Sequence, residues 1–315
     1  MAERILVTGA FGQIGTELVP ALQQKHGKDN VVSLGYRTIP YSFEGIIEKG
    51  SVLDKERLKQ IVEKYNVTSI YHLASILSAT GEKDPHLTWD VNMLGLKNVL
   101  DLAVEHKLKV FWPSSIAAFG PTTPQNNTPQ RTILEPTTMY GVTKAAGELM
   151  CQYYNLKFGI DARSLRYPGI ISWKAEPGGG TTDYAVAIFY EAIKAKKYTC
   201  FVKEDTVLPM MYMDDAIKGT LQLMDADTKK ITIRTSYNHA AISFSAKELA
   251  EEIKKHIPEL KVEYVPDHRQ KIADSWPKVI DDSTARKDWG WKHEFDLKKM
   301  TEVMLKELRI KLKGE

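Results

Sequence analysis

Two cysteines in 315 residues, Cys151 and Cys200, are too few for a disulfide framework or a structural zinc site, so a reducing compartment is expected. No uninterrupted apolar run is long enough to cross a bilayer. The first strand pattern begins at Arg4, which leaves no room for a signal or transit peptide. The expectation is a cytoplasmic enzyme or binding protein with no membrane partner. Charge of one sign is also lacking: 43 Lys and Arg against 40 Asp and Glu leave a net charge of +3, which gives little reason to expect nucleic acid as a partner. The eight histidines show no metal-ligand spacing, and no metal is expected. There is no internal repeat and no low-complexity segment. What the chain does have is hydrophobic residues, at 43%, enough for a sizeable core.

Apolar runs at residues 4–8, 31–34, 67–73, 110–112 and 160–165 read as strands. Helix-length stretches at about 12–26, 54–65 (with Asp54 as N-cap), 86–107 and 140–158 separate them. This alternation predicts an α/β fold with a doubly wound parallel sheet covered on both faces. The second half is less regular: a Pro177-Gly178-Gly179-Gly180 loop, then helices near 184–196, 214–225, 245–257 and 297–312, the last capped by Asp296. The predicted organisation is a dinucleotide-binding domain over 1–168, with a segment of about 205–230 returning to it, and a smaller substrate-binding lobe over 169–315.

Gly9-Ala10-Phe11-Gly12-Gln13-Ile14-Gly15 follows the first strand and opens the first helix. The first glycine permits a tight turn, the second lets backbone amides approach a pyrophosphate, and the third lets the helix pack closely on the strand. The helix N-terminus then offers N–H groups and a positive dipole end to the anion. The residue that reads the ribose is normally an acid about 20 residues further on. Here Leu34-Gly35-Tyr36-Arg37 has no carboxylate, and Ser51 stands where an adenine-reading acid is expected. Without the acid nothing repels a 2′-phosphate, and Arg37 can pair with one. The cofactor is therefore NAD or NADP, with NADP accepted or preferred.

Tyr140-Gly-Val-Thr-Lys144 puts a phenol and an ammonium on one helical face. Tyr153/Lys157 and Tyr190/Lys194 match that spacing, so it is the surroundings that single out Tyr140. Ser114 and Ser115 lie at the carboxyl end of the fourth strand, where open α/β sheets bind ligands. Oxidising a secondary alcohol needs hydride loss from carbon and proton loss from oxygen. A tyrosine base working near neutrality must be shifted down by roughly 2–3 pKa units, about 3–4 kcal/mol, and a cation about 4 Å away supplies up to about 4 kcal/mol. Ser115 orients the alcohol, Tyr140 takes its proton, Lys144 lowers the phenol pKa and fixes the ribose, and Asn92 helps carry the proton to solvent. His72 reads as a packed histidine and Cys151 as an inert thiol.

Together the glycine turn, His72-Leu73-Ala74, Asn92-Met-Leu-Gly-Leu-Lys-Asn98, the Ser114-Ser115 segment, Tyr140/Lys144, Arg166-Tyr-Pro-Gly169, Met213-Asp-Asp-Ala216 and Trp289-Gly-Trp291 resemble the extended short-chain dehydrogenase/reductase family. The resemblance covers nearly the whole chain. It implies a Rossmann domain, NAD as the usual cofactor, and a homodimer through helices of about 86–107 and 140–158. It also implies cofactor contacts at Phe11, Gln13, Ile14, Leu53, Leu73, Ala74, Ser75, Asn92 and Tyr167. The segments Leu73–Pro85, Trp112–Gly120, Arg166–Ser172 and Gly178–Tyr184 point within the family to members that oxidise the C3 hydroxyl of L-threonine to 2-amino-3-oxobutanoate. Substrate contacts are then implied at Ser78, Ser115, Tyr140, Thr181, Thr182 and Asp183. Threonine is a small zwitterion, so Thr181/Thr182 beside a helix N-terminus suit its carboxylate and Asp183 its ammonium, although plain N-capping explains the same residues. The triple glycine ahead of them suggests a closing loop, and Trp276 is a further pocket-wall candidate. Two other readings stay open: a nucleotide-sugar epimerase or dehydratase on the same scaffold, and a non-catalytic dinucleotide-sensing protein, which would have no use for the Ser115/Tyr140/Lys144 set.

Overall fold

The computed structural model describes residues 3–36, 43–178 and 180–313. The chain begins β1 (Ile5–Thr8), α1 (Gly15–His26), β2 (Val31–Gly35), β3 (Ile46–Lys49), α2 (Lys55–Tyr65) and β4 (Ser69–His72). Short helices α3 (Ser78–Gly81) and α4 (Pro85–Trp89) follow, then a π-helical turn at Asp90–Leu94 that runs into α5 (Gly95–His106). Next come β5 (Lys109–Ser115), α6 (Met139–Phe158), β6 (Ala162–Tyr167), β7 (Gly169–Ile171), α7 (Tyr184–Lys194), β8 (Lys197–Cys200), β9 (Val207–Tyr212) and α8 (Met213–Asp225). The last elements are β10 (Tyr237–Asn238), β11 (Ile242–Ser245), α9 (Ala246–Lys254), β12 (Lys261–Tyr264), α10 (Arg269–Asp274), α11 (Ser283–Trp289) and α12 (Leu297–Lys311).

Seven strands form one sheet in the order β10-β6-β5-β4-β1-β2-β3. The pairings β1–β2, β1–β4, β2–β3 and β4–β5 are all parallel. All four residues of β1 are buried, as expected of a strand covered on both faces. β3 is an addition to the strands read from the sequence, and its register sets Gly35 beside Lys49. The helices start where their caps stand: Asp54 Oδ1 accepts from Arg57 N at 2.9 Å, and Asp296 Oδ1 from Lys299 N at 2.7 Å.

The chain divides into two compact units. The first comprises Met1–Ala118, Thr138–Arg166 and Thr220–Tyr237; the second comprises Phe119–Thr137, Tyr167–Gly219 and Asn238–Glu315. In the first, Leu6, Leu34, Val62, Leu100, Val110 and Cys151 contribute to one continuous apolar core. The end of α8 joins this unit through Arg163 on β6, which donates to the carbonyls of Leu223 and Ala226. The second unit holds the three-stranded sheet β11-β9-β7 and the two-stranded sheet β12-β8. Its core includes Phe189, Leu208, Met210, Leu249 and Met304.

Candidate active site

The glycine turn closes on itself, with Gly12 N donating to Gly9 O at 3.1 Å. Gly9 has φ +67°, and a Cβ there would run into the backbone of Leu73 and Ala74. The turn and the Leu73-Ala74 segment therefore abut. Thr8 holds them from below: its Oγ1 accepts from Ala74 N at 3.4 Å and pairs with His72 Nδ1 at 2.7 Å. Ile14 precedes α1 and supplies no side-chain cap, while Thr16 N and Glu17 N turn back to the carbonyls of Gly12 and Ile14. A glycine turn at a helix N-terminus with no side-chain cap fits a dinucleotide pyrophosphate.

Position 35 at the end of β2 could not hold an acid without rearrangement, because a Cβ there would overlap the Phe11 ring. That ring stacks edge-on against Phe43 at 4.7 Å. Arg37 lies outside the described residues. Ser51 Oγ accepts from Leu53 N at 3.2 Å, and Asn98 on α5 donates to the carbonyls of Val52 and Leu53, fixing the turn that presents Leu53. Asn92, on the π turn, is fully engaged. Its Nδ2 donates to Ile76 O and Thr143 Oγ1, each at 3.1 Å, and its Oδ1 accepts from Ile76 N and the Ser75 hydroxyl. With all four amide positions taken, it braces the Ser75-Ile76 segment against α6. Ser78, the first residue of α3, is buried.

The reactive residues meet where α6 crosses the end of β5. Thr138 caps α6, its Oγ1 accepting from Gly141 N at 3.1 Å. Two residues on, the Tyr140 phenol lies near the Ser115 hydroxyl, which acts to lower its pKa and accepts from Ala117 N at 3.2 Å. Lys144 Nζ donates to Pro113 O at 2.6 Å and lies 4.6 Å from the Trp112 ring centroid and 5.3 Å from that of Tyr140. Although the residue is only half-buried, the surroundings of the Tyr140 phenol desolvate it and push its pKa up to about 12, with Ser115 pulling it back. Burial likewise pushes Lys144 down to about 7, against the nearby Cys151 and Glu148, which raise it. The phenol thus departs from its free value in the direction opposite to that expected from the sequence. Burial outweighs the neighbouring groups. His72 is buried and held down to about 3, first by desolvation and then by the Lys144 charge; it is a packed neutral imidazole.

A second layer was not read from the sequence. Glu148, one turn past Lys144, is wholly buried, and its Oε1 accepts from the Ser114 hydroxyl at 2.6 Å. Arg166 on β6 grips it at two points, Nε–Oε1 at 2.9 Å and Nη2–Oε2 at 2.7 Å. A Lys-x-x-x-Glu spacing on a face of small residues (Gly141, Ala145, Gly147) was the available signal.

In the second unit, Tyr167 is buried with its ring 5.7 Å from that of His239. Thr181 is 1% exposed and its hydroxyl has no protein partner. Thr182 packs against Gly169. Asp183 closes its own turn, Oδ2 accepting from Gly180 N at 2.7 Å. Trp276 lines a polar cavity of about 250 Å3 with Lys203, Gln270 and Lys278. No group of three or more metal-binding side chains occurs among the described residues, and none of their helices is long and apolar enough to cross a membrane.

A parallel sheet with a pyrophosphate cradle after β1 and a Ser–Tyr–Lys set at the end of β5 defines a nicotinamide-dinucleotide-dependent class of protein. The NAD dependent epimerase/dehydratase family matches over residues 5–238, and the chain belongs to that family. It is 50% identical over 306 residues to the mitochondrial L-threonine 3-dehydrogenase of Bos taurus, covering 96% of this chain and 82% of that protein. The X-ray structure of L-threonine dehydrogenase from Clostridium difficile superposes with a TM-score of 0.97 at 49% identity over 98% of each chain. The holo form of L-threonine dehydrogenase from Cupriavidus necator gives 0.95 at 50% identity, covering 97% of this chain and 99% of that one.

Proposed function

We propose that this protein oxidises the C3 hydroxyl of L-threonine to 2-amino-3-oxobutanoate with hydride transfer to a nicotinamide dinucleotide. The observation that carries the reading is the placement of the Tyr140 phenol near the Ser115 hydroxyl with Lys144 Nζ 5.3 Å from its ring, set at the end of β5. The relatives named above, alike over nearly the whole chain, support L-threonine as substrate. The Ser115 hydroxyl orients the alcohol and Tyr140, as phenolate, takes its proton. Bringing a pKa of about 12 to neutrality takes about 7 kcal/mol, whereas one cation about 4 Å away at an effective dielectric of about 20 supplies about 4 kcal/mol. Lys144 alone therefore does not ionise the phenol. When bound, the oxidised nicotinamide supplies the hydride acceptor and a second positive charge. Thr181, whose buried hydroxyl has no protein partner, is the proposed carboxylate contact, with Thr182 beside it. Asp183 is the proposed ammonium contact, and its side chain also closes the turn that presents the threonines.

The dinucleotide is held by residues of 1–168 and the substrate chiefly by later ones. NADP is accepted alongside NAD: position 35 has no carboxylate, and Lys49 stands in register with it on the same face of the sheet. The protein is a homodimer through α4–α5 and α6. What supports this is the apolar surface on those helices, with Trp89, Leu94, Leu149, Tyr153 and Leu156 all exposed, Leu156 to 75%. Two free buried thiols agree with a reducing cytosol.

The decisive variant is Tyr140→Phe. It should lower kcat for L-threonine by about 1,000-fold or more while binding reduced dinucleotide within about twofold of wild type. Retained turnover refutes the assignment. A panel of sugar nucleotides in the same assay distinguishes the epimerase or dehydratase reading, and inactivity on all substrates would favour a sensor.

A further inference from the structure

Three successive turns of α6 engage three successive residues of β5. Tyr140 meets Ser115, Lys144 holds the Pro113 carbonyl, and Glu148 accepts from Ser114. Glu148 is in turn seated by Arg166 on β6, and both side chains are almost completely buried. A buried ion pair is a poor source of stability, since apolar residues of similar volume often do as well or better. What such a pair does supply is a fixed position: a two-point Arg–carboxylate contact sets distance and plane together. Here the fixed carboxylate also grips the residue next to Ser115. We propose that Glu148, held by Arg166, is a positioning residue for the dehydrogenase reaction, setting the register of the Tyr140/Lys144 helix on the Ser115 strand and keeping a negative charge one turn from the Lys144 ammonium.

The groups acting on Lys144 agree. Burial drives its pKa down, and Cys151 and Glu148 on its own helix resist. His72 on β4 is neutral and feels the Lys144 charge, Arg166 on β6 is spent on Glu148, and from β5 there come only the Pro113 carbonyl and the Trp112 ring. Glu148 is therefore the formal anion among them that favours the ammonium. Removing it should let Lys144 lose its proton at lower pH.

The test is Glu148→Gln beside Glu148→Asp and Ser114→Ala, followed by the pH dependence of kcat and KM for L-threonine, dinucleotide affinity and melting temperature. Glu148→Gln is expected to lower kcat by about 30-fold or more with KM within about threefold, and to move the descending limb of the kcat profile about one pH unit lower. Glu148→Asp should restore the limb but only part of kcat, and Ser114→Ala should lower kcat without moving the limb. If Glu148→Gln does not fold, the double variant Glu148→Met/Arg166→Met removes both charges and should move the limb in the same direction by a smaller amount, since losing the Arg166 cation opposes losing the nearer carboxylate. An unmoved limb in a folded, slowed variant, or wild-type kcat in Glu148→Gln, overturns the proposal. The inference rests on the dehydrogenase reading only through its assay: a wild-type protein inactive on L-threonine refutes that reading, whereas an active wild type with unmoved limbs refutes this inference alone.

Discussion

A carboxylate at the end of the second strand accepts hydrogen bonds from the 2′-hydroxyl of NAD and repels a 2′-phosphate, and at Gly35 the Phe11 ring occupies the space it would need. Phe11 and Gly35 are therefore a matched pair, and exchanging one without the other has a cost. Gly35→Asp alone should lose about 1–3 kcal/mol of stability by overpacking. The double variant Phe11→Ala/Gly35→Asp should recover most of that and bind NADH at least about tenfold tighter than NADPH. Lys49→Gln should weaken NADPH by about tenfold and leave NADH within about twofold. Fluorescence titration with both reduced dinucleotides checks all three, and an unchanged NADH/NADPH ratio in the double variant rules out position 35 as a determinant. The missing acid was legible in the sequence because a strand-end position can be counted from the glycine turn. The ring that keeps it missing was not, because Phe11 and Gly35 meet only once β1 and β2 lie side by side.

Among the elements, those with local signals were legible and those made by long-range pairing were not. Asp54 and Asp296 mark their helices because a cap is chosen by residues three apart. β3 is four residues of which one is buried, and only its pairing with β2 makes it a strand. The π turn at Asp90–Leu94 has no sequence signal either, yet it aims Asn92 at the Ser75-Ile76 segment. Tyr140 and Lys144 stood out by the serines and small residues around them, whereas Glu148 looked like any helical acid until Arg166 and Ser114 closed over it. On α6 itself, Leu149, Tyr153 and Leu156 remain exposed along the helix, an apolar stripe that α6 does not bury within its own chain. Leu149→Asp/Leu156→Glu should leave the melting profile of the isolated chain intact and convert a dimer to a monomer. Light scattering on the eluting peak reads this directly, and a wild-type mass of one chain removes the dimer from the proposal.

Over the whole molecule, the doubly wound order follows from alternating strands and helices, but the membership of 119–137 and 220–237 in their units does not. Side chains far away in sequence decide it, as when Arg163 gathers the carbonyls at the end of α8. Buried titratable groups are similarly scattered, and they set how stability varies with pH. His72 and His239 are both fully buried, one in each unit, and desolvation holds each to about 3 where an exposed imidazole has about 6.5. The unfolded chain takes up a proton at each site near pH 6.5, and the folded chain does not until about pH 3. Stability from these two groups is therefore complete above about pH 6.5 and is lost as pH falls below it. Carboxylates held low by ion pairs, Asp161 at about 2 and Glu48 below its usual range, lose their contribution only under more acid conditions, so between pH 7 and 5.5 the histidines dominate, with a smaller change of the same sign from Lys144, held down to about 7. At pH 5.5 the pair should have cost about 2–3 kcal/mol. Urea unfolding at pH 7 and 5.5 should show that difference, and His239→Phe, which keeps a ring among Tyr167, Trp289 and Trp291, should halve it. A wild-type stability that does not change between the two pH values would mean that both imidazoles are reached by water or paired in solution, and the packing of His239 against Trp291 would then be wrong.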